Sequence, residues 1–174
     1  MNKLINAVGF QAGWWACVAG VGLGLEIESI VFCAVLAGLH LYASPAPRQE
    51  CLLAVLTVIV GIGVDSLLQH LSIIQFDGKA LDPLSPFWLW ALWGIFALTL
   101  NSSLAFLQRQ SLILSAILGL AFGPLTYCAG AQLGAATLDA TLPHLLALAL
   151  AWMLTLPLLV LAAQRIFPTN QDTP

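Results

Sequence analysis

Residues 52–74 read LLAVLTVIVGIGVDSLLQHLSII. Up to Val64 the run holds one polar side chain, Thr57, and then Asp65 interrupts it. No period-two alternation runs through it, and it is longer than the roughly 9–11 residues of a membrane β-strand, so it reads as helix. A bilayer core of about 30 Å takes roughly 20 apolar residues in that form. The stretch therefore sets the class: a helix that crosses a membrane and carries an acid inside it.

Working outward, similar apolar runs cover residues 4–24, 27–42, 87–107, 112–133 and 143–166. The expected fold is all-α: a polytopic membrane protein, one six-helix transmembrane bundle over residues 1–168, with a polar tail at 169–174. Composition agrees. Of 174 residues, 60% are hydrophobic and 7% charged, against roughly 45–50% and 25% in soluble domains. Five basic and eight acidic side chains cannot coat a soluble surface of this size. A soluble enzyme, a disordered tail and a nucleic-acid binder are excluded; the expected partner is the lipid bilayer. The opening Met1-Asn2-Lys3 resembles a signal peptide. Its apolar run is longer than an h-region of about 7–15 residues and contains Gln11, Trp14 and Trp15, so a retained first helix is expected.

Between the runs lie turn signals: Ser44-Pro45-Ala46-Pro47-Arg48-Gln49-Glu50, Asp77-Gly78-Lys79, Asp82-Pro83, Gln108-Arg109-Gln110 and Asp139 to Pro143. Six spans put Lys3, Arg48, Arg109 and Arg165 on one side and Lys79 on the other. That bias places both termini in the cytoplasm.

Helices in lipid associate through small side chains. Gly9, Gly13, Ala16 and Gly20 share a face of the first helix, and Gly119, Gly123 and Gly130 a face of the fifth. These are packing surfaces, and a membrane-protein partner or a second copy of the chain is a further use for them. Pro124 and Pro157 are expected to kink their helices. The tryptophans after Phe87 are assigned to an interfacial belt. Cys17, Cys33, Cys51 and Cys128 lack metal-ligand spacing, and neither a disulfide nor a metal is inferred. His40, His70 and His144 are read as solvated interfacial side chains.

Asp65 is the acid that neither loops nor ends explain. A carboxyl roughly 12 Å inside the boundary, at about 1.5 Å per residue, must be paired, neutralised or hydrated. No Lys or Arg lies at its depth, so a protonated, hydrogen-bonding acid is expected. It shares a stripe with Thr57, Gly61 and Gln69, and Tyr127 lies at a depth from which it could reach it. The candidate ligand site is Asp65, Gln69 and Tyr127, with Ser66, Asn101 and Gln11. Asn6 and Asn101 are expected to hydrogen-bond across helices. No HExxH, GxSxG or close histidine pair is present. No catalytic residue, cofactor or metal is therefore assigned.

Four segments carry a resemblance: Asn6…Phe10-Gln11…Trp14-Trp15, Asp65-Ser66, Leu92-Trp93…Phe96, and Gly123-Pro124-Leu125-Thr126-Tyr127…Gly130…Gly134-Ala135. With these the chain resembles a bacterial inner-membrane family known as domain of unknown function 2878. The resemblance implies a small all-helical protein of the inner membrane with no assigned activity, and by association a link to fatty-acid modification. Its size and span count are similar to the substrate-binding subunits of vitamin transporters. The expected function is a small-molecule or lipid binding or transport module centred on Asp65. The alternatives are an accessory protein or enzyme of lipid modification, which requires a lateral opening between helices, and a structural assembly factor.

Overall fold

Asn2 accepts a hydrogen bond from the Leu4 amide and starts α1, Lys3–Gly22. This N-cap satisfies one of the free donors of the first turn. The computed structural model describes residues 2–167, so the tail at 169–174 lies outside the described residues. The other helices are α2 (Glu26–Tyr42), α3 (Pro47–His70), α4 (Phe87–Leu100), α5 (Leu112–Gln132) and α6 (Leu142–Ile166). A 3-10 helix covers Ala105–Arg109. The helical class is interrupted by one small ribbon, β1 (Gln75–Phe76) paired antiparallel with β2 (Ala136–Thr137).

The α1 and α5 ends are built alike. Gly24 and Gly134 take positive φ, +74° and +81°. The next amides, Leu25 and Ala135, bond back to the Gly20 and Gly130 carbonyls. This is a Schellman stop, which needs a residue free to turn left-handed. Pro47 sits in the first turn of α3, where its missing N–H costs nothing. Glu50 is therefore helical and buried, not part of the Pro-rich loop. α5 and α6 run on through Pro124 and Pro157.

The helices α1, α3, α5 and α6 are long and apolar enough to cross a membrane; α2 and α4 are shorter. The fourth run was expected to continue to residue 107, but α4 ends at Leu100. The sequence after it, Asn101-Ser102-Ser103, offers side chains that compete for backbone groups. Asn6 of α1 completes the stop: its Nδ2 donates to the Leu98 carbonyl and its Oδ1 accepts from the Ser103 amide.

Short as it is, α4 is the centre of the molecule and packs against α1, α2, α3 and α6. It is apolar on every side, as a helix surrounded by others must be. Trp88 and Trp93 are 3% and 4% exposed. They are core residues, not an interfacial belt, because four other helices pack against α4; Trp90 is half-buried. The small-residue faces pack as their size allows. Gly13 faces Ile95, Cys33 and Leu36, and Gly9 faces Leu36. Gly119 and Gly123 lie against Trp152 of α6. Ala16 gives its carbonyl to the Ser29 hydroxyl, 2.6 Å.

Contacts sort the two ends of the bundle. At one end Asn6, His40, Glu50, Asn101 and Ser103 meet, and Gln164 of α6 donates to the Gln108 carbonyl. At the other stand the ribbon and Glu26, whose carboxylate takes the Lys79 amide at 2.9 and 3.1 Å. We call them the polar-cluster end and the ribbon end. Lys3, Arg48, Arg109 and Arg165 belong to the polar-cluster end and Lys79 to the ribbon end.

A candidate ligand cavity beneath Asp65

Gly61 and Asp65 are one turn apart on the buried face of α3. The Trp93 indole lies flat on Gly61, so close that a Cβ there would collide with the ring. That approach brings Trp93 Nε1 within 2.7 Å of Asp65 Oδ2. From α5, the Tyr127 hydroxyl donates to Asp65 Oδ1 at 2.5 Å. Asp65 is fully buried and holds α3, α4 and α5 together through two donors, one to each oxygen. Trp93 has a donor only, so the oxygen it meets must accept. Oδ1 meets a hydroxyl, which can donate or accept, so the protonated acid expected from the sequence is compatible with both contacts.

The Asp65 group stands at the wall of a cavity of about 410 Å³, inside the roughly 300–1,000 Å³ of small-molecule sites. α1 supplies Phe10, Trp14 and Val18 to it, α4 Trp93 and Phe96, α5 the stretch from Leu118 to Gly130, and α6 Trp152. Trp93 and Trp152 stack at 5.1 Å with planes 14° apart. At the ribbon end Phe76 and Ala136 close the space; at the other end Leu104 and Leu107 do.

One side is open. α1 and α5 do not pack along their lengths. They converge at the ribbon end, where Gly22 meets the Leu133 carbonyl and Gly130 faces Val18. Toward the polar-cluster end they diverge, and the cavity opens between them. Phe106 and Phe122 line it and are 47% and 59% exposed. The opening is thus lateral and apolar.

Of the residues singled out from sequence, Asp65 and Tyr127 come together. The others lie elsewhere. Ser66 Oγ accepts the Ser85 amide and holds the loop before α4. The Gln69 carbonyl takes the Gln75 side chain, and its Oε1 has no partner among the described residues. Asn101 donates to Glu50 Oε1, 3.1 Å, and Gln11 is exposed. His40 is not solvated: it is 4% exposed, with Asn6 on Nδ1 at 3.3 Å and Glu50 beside Nε2 at 3.5 Å. The cause is that α2 and α3 bring their ends together over Asn6. His144 meets the Asp139 carbonyl. No group of three or more His, Cys, Asp or Glu that could hold a metal occurs among the described residues.

Sequence reading missed Trp93 and Trp152 as site residues. The signal for Trp93 was the glycine on its partner helix: Gly61, a turn before Asp65, marks where a large ring can reach the acid. Nothing comparable marked Trp152.

Residues 3–158 match the model of the family described as Protein of unknown function (DUF2878), and the chain belongs to that family. No curated protein and no solved structure matches it.

Proposed function

We propose that this chain is a multi-pass protein of the bacterial inner membrane that binds an apolar, membrane-dissolved molecule in the cavity beside Asp65. All six helices take part in the crossing, α4 being extended by the segment through Arg109, and both termini face the cytoplasm. Four helices of spanning length and the gathering of four basic residues at one end support this arrangement.

The observation that carries the binding role is the lateral mouth between α1 and α5. A cavity walled by apolar and aromatic side chains and open toward lipid admits its occupant from the bilayer, where such molecules concentrate. A few polar groups in an apolar pocket are the usual means of orienting a ligand, and Tyr127 over Asp65 supplies them here. A lipid-modifying role shares the same mouth. Against hydrolysis, Asp65 is engaged by two donors and has no basic partner, so a general base would have to come from elsewhere.

The test is native mass spectrometry of the protein extracted with its surrounding lipid. One bound molecule per chain should survive delipidation in the wild type. It should be lost in Leu118→Trp, which fills the cavity from α5. If wild type and variant retain the same species, or neither retains any, the cavity is not a binding site.

A further inference from the structure

The cavity has an electrostatic character that its apolar walls conceal. Most of its donors are used or shielded. Trp93 Nε1 and the Tyr127 hydroxyl both point their hydrogens at Asp65. Trp88 Nε1 donates to the Asp77 carbonyl at 2.8 Å, and Thr126 to the Gly123 carbonyl at 2.8 Å. Trp152 Nε1 is shielded from the void. Trp14, beside the mouth, and Trp152 are the wall tryptophans whose N–H has no partner within the protein among the described residues. No Lys, Arg or His lines the cavity. What faces the void is therefore mainly electron-rich: the faces of stacked indoles and other rings, and behind them one carboxyl group with no Lys, Arg or His in the wall.

An aromatic face attracts a cation within about 6 Å of its centre, most strongly when water is excluded. A carboxylate in low dielectric adds to that attraction, and it repels an anion by the same amount. We infer that the ligand is an organic cation, a single ammonium group on an apolar body, and that the cavity discriminates against molecules of the same shape with an anionic head. This rests on the cavity being the binding site, and it adds the ligand's chemical class.

Three single-chain probes of equal length test it: an alkyltrimethylammonium, the alcohol and the carboxylate. Binding is followed by tryptophan fluorescence of the whole protein in nanodiscs. The ammonium should bind at least about tenfold more tightly than the alcohol, a difference of about 1.4 kcal/mol, and the carboxylate most weakly. In Asp65→Asn the ammonium-to-alcohol ratio should fall toward unity, while Asp65→Glu should keep it above unity. A carboxylate that binds as tightly as the ammonium overturns the inference, as does an undiminished ratio in a folded Asn variant. If the Asn variant does not fold, the wild-type ranking decides alone. Failure of all three probes to bind overturns the cavity reading itself, and this inference with it.

Discussion

Gly61, Trp93 and Asp65 form one unit in which each residue explains the next. Without a side chain at 61, the indole reaches α3 and its N–H finds the acid. Gly61→Leu should drive the ring off the acid. Overpacking costs about 1–3 kcal/mol, and the orphaned carboxyl oxygen adds its own penalty. The expected result is a lower melting temperature in detergent, with a larger loss than for Gly63→Leu, whose site is open. Trp93→Phe should cost about 1–3 kcal/mol, since it keeps a ring and leaves Asp65 Oδ2 unsatisfied. Equal melting temperatures for Trp93→Phe and wild type would show that this bond is not needed for the fold. Asp65 was legible in the sequence because an acid in a long apolar run demands an explanation. Its partners were not legible, because the contacts across 28 and 62 residues depend on how three helices cross.

At the scale of elements, Asn6 shows how one helix ends another. It stands near the start of α1 yet takes the Leu98 carbonyl of α4 and the Ser103 amide beyond it, and its Nδ2 also meets His40. The Ser103 amide can only donate, so the facing atom of Asn6 is its oxygen and Nδ2 is turned to His40. Nδ1 of His40 must then accept, which puts the ring proton on Nε2, toward Glu50. Asn6→Leu should remove the cap and leave buried backbone groups unpaired, at about 1–3 kcal/mol for each. Faster proteolysis of the segment 101–110, measured against wild type in the same detergent, should accompany the loss of stability. Unchanged cleavage there would mean α4 stops without Asn6. The end of α4 escaped sequence reading for the same reason: Leu104 to Leu107 is as apolar as the helix before it, and the stop is imposed from α1.

For the molecule as a whole, the testable property is sidedness. A single cysteine replacing Lys79, introduced with Cys51 and Cys128 changed to Ser, should react with an impermeant maleimide added to intact spheroplasts. One replacing Arg109 should react only after the membrane is opened. Labelling of both from the same side would overturn the six-crossing arrangement. Cys17 and Cys33 should stay silent in the folded protein, since each is almost fully buried and faces the other. The sequence by itself determined what is set by transfer between water and lipid: the helical class, the number and rough limits of the helices, the segregation of basic residues and the cost of Asp65. These follow from side chains taken one at a time, because hydration is a local property of each. Only the tertiary structure decided that α4 is central, that two of its three tryptophans are core, that His40 and Glu50 are buried together, and that α1 and α5 part to leave a cavity. Such features depend on which faces meet. In a chain whose helices are apolar nearly all round, hydropathy does not distinguish the face that meets a neighbour from the face that stays open.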